Sequence, residues 1–258
     1  MYHMFTSDSV SIITAATGHK NLLKCLRSVQ GQTFPSVTHF VVSDGQERSV
    51  AVHEAIGALR TAQSCPKPVL PIELPHPTGR DNWCGHRIYG AMSFLINSEF
   101  VSFLDEDNWL ESCHVERLVA SVRASGATWA FALRNIVDES GAFLTRDDCE
   151  SLGNLHPVFD RPDEKFVDTN CYLLPREIAV AVAGGWYGPT RPAAGRMEPD
   201  RFVASTLFSY FPDACSSKAH TVNYAVSSRE DSVTAEYFRY GNARMRERYP
   251  DGMPWASQ

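Results

Sequence analysis

Phe100-Val-Ser-Phe-Leu104, followed at once by Asp105-Glu106-Asp107, is an apolar run of strand length that stops on two carboxylates spaced i, i+2. Carboxylates so spaced at the mouth of a parallel sheet can share one divalent cation and the groups bound to it. Charge placed there is costly unless it meets a metal, so the position points to a metal-assisted site. An acidic turn that caps the next helix would use the same residues, because Asp107 and Asn108 are both good N-caps. The surroundings have to separate the two readings.

Upstream, Val10-Ser-Ile-Ile13 is a short β-rich run broken by Thr14-Ala-Ala-Thr17-Gly18, and Leu22, Leu23, Leu26 and Val29 then recur at helical spacing. Val37 to Val42 reads as the next strand and ends on Ser43-Asp44-Gly45. A helical pattern through Val52, Ile56 and Leu59 leads to a third strand, Val69 to Leu74. Pro75-His-Pro-Thr-Gly-Arg-Asp-Asn82 is rich in turn formers, and Ile88, Met92, Leu95 and Ile96 mark the helix before Phe100. Strand and helix thus alternate four times in the first 105 residues. The pattern predicts an α/β fold, a Rossmann-like, mostly parallel sheet flanked by helices, with ligands beyond the carboxyl ends of its strands. Three of those ends are polar: Thr14 to Thr17, Asp44, and Asp105 to Asp107.

The second half is less regular. A helix is expected from Leu110 to about Val122, strands over Trp129 to Val137 and Val167 to Leu174, and a helix from Arg176 to Ala183 that Gly184-Gly-Trp-Tyr-Gly-Pro189 breaks. Arg191 to Pro199 reads as a loop before a helix through Phe202, Val203, Leu207 and Tyr210. There is no internal repeat, low-complexity tract or linker, so the 258 residues are expected to form one domain.

A hydrophobic fraction of 43% with 21% charged residues is that of an ordinary globular chain. The net charge is 24 − 30 = −6 with no long basic run, which argues against nucleic acid as the main partner. No stretch approaches the roughly 18–20 apolar residues of a membrane helix. The first residues, Met1-Tyr-His-Met-Phe-Thr-Ser-Asp8, lack the basic and apolar regions of a signal peptide. Seven scattered cysteines without Cys-x-x-Cys spacing read as reduced thiols, and a cytoplasmic location is expected.

With these pieces in order, the sequence resembles the family 2 glycosyltransferases of the GT-A fold. The resemblance rests on Val10-Ser-Ile-Ile-Thr-Ala-Ala-Thr17, Cys25-Leu-Arg-Ser-Val-Gln-Gly-Gln-Thr-Phe34, Val41-Val-Ser-Asp-Gly45 and Phe103-Leu-Asp-Glu-Asp-Asn108. It covers about residues 8–125 well and thins beyond, where Val167-Asp-Thr-Asn-Cys-Tyr-Leu-Leu-Pro-Arg176 and Glu198-Pro-Asp-Arg201 look like acceptor-side motifs. It implies a nucleotide-sugar-binding half over about 1–109 and an acceptor-binding half over about 110–258. It further implies inverting transfer of a sugar from a UDP- or GDP-sugar to a glycan, lipid-linked or small-molecule hydroxyl, with Mn2+ or Mg2+.

By the same resemblance Asp107 would bind the metal, Asp105 would share it or touch the ribose, and Glu106, although part of the motif at the nucleotide-sugar site, would point elsewhere. Asp44 would accept a hydrogen bond from the base, though an Asp-Gly turn explains the pair without a ligand. Thr14, Ala15 and Thr17 would lie along the nucleoside, with a helix cap at Thr17 as the alternative. Arg80 and Arg87 would approach base or diphosphate through forked, charge-assisted hydrogen bonds.

Inversion needs a base for the acceptor hydroxyl. By the resemblance, which places an acid at the start of such a helix, Asp200 is the choice and Glu198 the reserve; Pro199 suits a first helical turn, where acids also complement the macrodipole without any catalytic role. As the resemblance to GT-A enzymes implies, His220 would complete the metal shell, or it would sit as a half-exposed strand residue, and Arg229 could meet the diphosphate from a downstream lid. Trp186 and Tyr187 could stack on a sugar or pack in the core.

Three rival classes share parts of this pattern. A haloacid-dehalogenase-like phosphatase would carry its Asp-x-Asp near the start of the domain and a hydroxyl two residues after the second Asp, where Trp109 stands. A sugar nucleotidyltransferase would carry a Gly-rich N-terminal loop with Arg and Lys, which is absent. A non-catalytic nucleotide-binding scaffold is the remaining reading.

Overall fold

The computed structural model describes residues 6–62, 64–79, 85–187, 199–226 and 233–255. The first half is strand–helix alternation: β1 (Thr6–Ala16), α1 (Leu22–Gln30), β2 (Val37–Ser43), α2 (Gln46–Ala62), β3 (Val69–Glu73), α3 (His86–Leu95) and β4 (Ser98–Phe103). β1 lies between β2 and β4, and β3 flanks β2, all parallel. Val10, Ile12 and Ile13 of β1 and Phe100, Val101 and Phe103 of β4 are buried, as expected of central strands covered on both faces. α1 closes one side with the stripe Leu22, Cys25, Leu26 and Val29.

The chain then adds β5 (Trp109–Leu110), α4 (His114–Ser125), β6 (Trp129–Val137), β7 (Phe143–Arg146), β8 (Tyr172–Pro175), α5 (Arg176–Val182), α6 (Pro199–Tyr210), β9 (Ala214–Ala225) and α7 (Ala235–Arg248). The sheet runs β3-β2-β1-β4-β8-β6-β9-β5, with β7 paired to β6. β8 is antiparallel to β4 and β6, whereas β6 and β9 run parallel. The start of β8 therefore lies beside the end of β4, next to Asp105. One apolar core runs from Val10 to Trp255 and includes Trp129 and Trp186.

Among the described residues no helix is long and apolar enough to cross a membrane. Cys25, Cys113, Cys149, Cys171 and Cys215 carry free thiols.

Four local expectations change. β1 does not break at Thr14 but continues through Ala16, whose partner is Ser43, so Thr14 is a strand residue. Leu110 belongs to β5 because β9 claims its backbone (Leu110 opposite Val222, Glu111 N–H to Thr221 O at 2.9 Å), and α4 begins only at His114. Thr169–Cys171 is a 3-10 turn capped by Asp168, which accepts from Asn170 N–H, so β8 starts at Tyr172. β9 and α7 were not marked by periodicity; β9 mixes serines, Lys218, His220 and Asn223, and α7 carries several arginines, so neither presents a clean apolar repeat.

Candidate functional site

Parallel register brings the three polar strand ends to one edge. Ile13 pairs with Phe103 and Ala16 with Ser43; Leu104 N–H donates to Ile13 O and Asp44 N–H to Ala16 O, both at 2.9 Å. Thr17, Asp44 and Asp105 to Asp107 thus emerge from three adjacent strands at their carboxyl ends, where open α/β sheets bind ligands.

Asp105 is held from two sides. Tyr89 Oη donates to its Oδ1 at 2.5 Å, and Asn170 Nδ2 donates to its Oδ2 at 2.8 Å, while Asp105 N–H donates to Asn170 Oδ1 at 2.6 Å. Burial, then the charges of Asp107 and Asp168, push its carboxyl up to about 7; the bonds from Tyr89 and Asn170 pull the other way. Asp107, two residues on, is half-buried. A carboxylate whose proton affinity is raised by burial and by two further carboxylates is short of positive charge, and a divalent cation fits that deficit. Hard cations such as Mg2+ need only one or two protein carboxylates when phosphate oxygens and water complete the shell. Asp105 and Asp107 are the residues that would hold it.

Glu106 has a different duty. Its Oε1 accepts from Thr17 N–H at 2.9 Å and from the Thr17 hydroxyl, and its Oε2 accepts from Gly18 N–H at 3.0 Å and His19 N–H at 2.8 Å. It is buried and turned onto the β1–α1 loop, so it shapes that loop and is spent before any ligand arrives. Gly18 sits there at φ +84°, where a Cβ would lie 2.6 Å from Ala51 Cβ. Thr14 is corrected too: its hydroxyl is fully buried and bonded to His39 Nε2 at 2.8 Å, which leaves it no side-chain contact to offer a nucleoside. Ala15 is half-buried, with Gly85 of the α3 start packed so close that a Cβ there would meet Ala15 Cβ at 2.5 Å.

Asp44 is buried, and its two oxygens accept from Thr78 N–H at 2.6 Å and Gly79 N–H at 3.0 Å. The loop after β3 is thereby drawn over the end of β2. Arg87, in the first turn of α3, lies with its guanidinium carbon 5.0 Å from the centre of the Tyr187 ring, a cation–π distance. Arg80, Glu198 and Arg229 lie outside the described residues. Trp186 is fully buried, stacked on His86 and edge-on to Phe103, whereas Tyr187 is 61% exposed. Of these two aromatic residues, only Tyr187 is open to a ligand.

Asp200 occupies the first turn of α6, with Pro199 at the first helical position, and Arg201 N–H donates to its Oδ1 at 2.7 Å. Tyr172 has a buried hydroxyl without a hydrogen-bond partner; burial first and the charge of Asp200 next push that phenol's pKa well up. His220 does not join the aspartate pair. Its Nε2 lies 3.6 Å from Asp148 Oδ1, and among the described residues no three His, Cys, Asp or Glu side chains gather as a metal site. The cause is the β6–β9 pairing, which sets His220 opposite Leu133, away from the end of β4.

Behind Asn170 and Arg201 runs a charged network that motif reading missed. Arg134, buried in β6, donates to Asp168 Oδ2 at 2.6 Å, Asp147 Oδ2 at 2.8 Å and Glu150 Oε2 at 2.6 Å. Burial alone would lower its pKa, but Asp168, Asp147 and Glu150 outweigh that and raise it. Asp168 Oδ1 accepts from Asn170 Nδ2, and Glu150 Oε1 accepts from Arg201 Nη2, each at 2.8 Å. One signal was available: an arginine inside Trp129-Ala-Phe-Ala-Leu-Arg-Asn-Ile-Val137 is a charge in an apolar strand and requires buried partners.

No protein-family model matches the sequence, and no curated protein matches it. Solved structures do share the fold. S. aureus TarS 1-349 in complex with UDP-GlcNAc aligns over 92% of this chain and 66% of that one, at 12% identity and a TM-score of 0.59. The mannosyltransferase PcManGT from Pyrobaculum calidifontis, in complex with GDP-Man and Mn2+, aligns over 94% of this chain and 64% of its own, at 13% identity and a TM-score of 0.58. Against the longer S. aureus TarS structure the chain spans 37% of the length, with a TM-score of 0.57. The chain therefore has the GT-A type of α/β fold, with a curled, mostly parallel sheet, and covers less than two thirds of the length of such neighbours.

Proposed function

We propose that this chain is an inverting, metal-dependent glycosyltransferase of the family 2 type, moving a sugar from a UDP- or GDP-sugar to a hydroxyl acceptor. The observation that carries the reading is the pair Asp105 and Asp107 at the end of β4, beside the ends of β1 and β2, in a GT-A fold. Similar folds solved with UDP-GlcNAc, and with GDP-Man and Mn2+, support the donor class and the divalent cation. The half up to about residue 109 would take the donor, and the remainder the acceptor.

In this reading the loop shaped by Glu106 and the Asp44 carboxylate face the nucleoside, and Arg87 approaches the diphosphate. Asp107 and Asp105 hold Mn2+ or Mg2+, which when bound supplies positive charge to the leaving diphosphate. Asp200 accepts the proton of the acceptor hydroxyl as its oxygen bonds to the anomeric carbon and the bond to the diphosphate breaks. The nucleoside diphosphate leaves with the bonding electron pair. Glu198, two residues before Asp200, is the reserve base.

A melting-temperature screen of UDP, GDP and their sugars, with Mn2+ or with EDTA, tests the assignment. A ligand at a hundred times its Kd adds about 2.7 kcal/mol of stability. A Mn2+-dependent rise is expected for one nucleotide class. No rise with any of them contradicts the reading. Pyrophosphate formation from a nucleoside triphosphate and a sugar phosphate would identify a nucleotidyltransferase instead.

A further inference from the structure

The Asp105 carboxylate is held at both oxygens, and its fixings lie on elements far apart in sequence. Tyr89 comes from α3, and Asn170 from the turn that Asp168 caps before β8. Asn170 is fully buried and its amide is fully used: Oδ1 takes Asp105 N–H, while Nδ2 reaches both Asp105 Oδ2 and Asp168 Oδ1. The amide cannot be turned over, because Asp105 N–H would then face an NH2 group. Behind Asn170, Arg134 binds Asp168 through Nη1, so a buried positive charge stands three hydrogen bonds from Asp105. Tyr89 is itself wedged by Phe103 and Trp186, at ring distances of 5.1 and 5.8 Å, which fixes where its hydroxyl can reach.

We propose that Tyr89 and Asn170 are positioning residues, which hold the Asp105 carboxylate in one orientation at the cation site, with Arg134 anchoring Asn170 through Asp168. This rests on the reading of Asp105 and Asp107 as cation-holding carboxylates. The physical reason is that a carboxylate gripped at both oxygens keeps only its remaining lone pairs for a cation, in fixed directions. Partners that orient ligating groups in this way typically contribute about 10–100-fold to metal affinity.

The test uses the whole chain and reads Mn2+ binding by electron paramagnetic resonance, with UDP or GDP present, together with the melting temperature in EDTA. Tyr89→Phe removes one oxygen from a ring that stays packed, and Asn170→Ala repeats the test from the other side of the carboxylate. Both variants are expected to weaken Mn2+ by about tenfold, while Tyr89→Phe melts in EDTA close to the parent. A variant that melts lower in EDTA yet binds Mn2+ as the parent does would show a merely structural role and overturn the proposal. Unchanged Mn2+ affinity with unchanged melting overturns it equally. If the unmodified chain binds no Mn2+ with either nucleotide, the reading of the site fails first, and that outcome is visible before any variant is made.

Discussion

Glu106 and Thr17 are bound to each other twice: the Thr17 main-chain N–H and its hydroxyl both donate to Glu106 Oε1, across 89 positions of sequence. With Gly18 and His19 on the second oxygen, one side chain from the end of β4 fixes the loop at the end of β1. The middle residue of the acidic triplet is therefore structural, while its neighbours are the functional candidates.

Glu106→Ala leaves three main-chain donors of that loop without their acceptor. The loop is half-buried, so water recovers part of the loss, and the expected destabilisation is about 3 kcal/mol in total, from about 1–3 kcal/mol for each buried donor left unsatisfied. Urea denaturation measures it. A variant within about 0.5 kcal/mol of the parent, the range of an unremarkable surface substitution, would mean the contacts are not formed in solution.

Arg134→Met removes the cation from between Asp168, Asp147 and Glu150 and leaves three buried carboxylates facing one another. Breaking a buried ion pair from one side costs about 3–5 kcal/mol. A large fall in the urea midpoint is expected, and an unchanged midpoint would contradict the network.

Stability should fall with acid partly through two histidines. Burial lowers His39 and His114 to about 3, so both are neutral in the folded chain. The unfolded chain protonates them below the ordinary 6.5 of the same groups, so their stabilisation is complete above that pH and is lost as pH falls toward 3. Asp105 works in the opposite sense, because its raised pKa favours the folded form as it protonates below about 7. The difference between parent and His114→Gln isolates one histidine: measured without metal, the parent should lose about 2 kcal/mol more than the variant between pH 7 and pH 5. Equal losses would contradict the buried neutral imidazole.

Asp200→Asn should leave nucleotide affinity within about twofold while lowering turnover by about 10²–10⁴, the usual contribution of a general base. Binding is read by calorimetry and turnover by nucleoside diphosphate release. A loss of affinity with turnover intact would make Asp200 a helix-cap residue and turn attention to Glu198.

The alternation of strands and helices up to Phe103 was legible because buried parallel strands and amphipathic helices leave period and punctuation in the chain, as in Val10 to Ile13 and Leu22 to Val29. β9 and α7 were not, since β9 is a long strand of mixed polarity and α7 is rich in arginine. The aspartate pair was legible by its place after the fourth strand. The bonds that orient it were not: Tyr89 lies 16 residues away from Asp105 and Asn170 lies 65 residues away, and only the antiparallel return of β8 beside β4 brings Asn170 to it. Thr14 misled because a hydroxyl at a strand end can turn inward as readily as outward, and here His39 takes it. His220 is the half-buried strand residue of its second reading, on β9 with Asp148 Oδ1 3.6 Å from its Nε2, a neighbour that only the tertiary fold brings to it.

Asp105 and Asp107, in the proposed function, would carry the cation that neutralises a nucleoside diphosphate. The direct measurement is nucleoside diphosphate release from UDP-GlcNAc and from GDP-mannose, with Mn2+, by the parent chain and by Asp107→Ala. Mn2+-dependent release by the parent with one of the two donors, and its loss in the variant, are expected. Release by Asp107→Ala at close to the parent's rate would contradict that role.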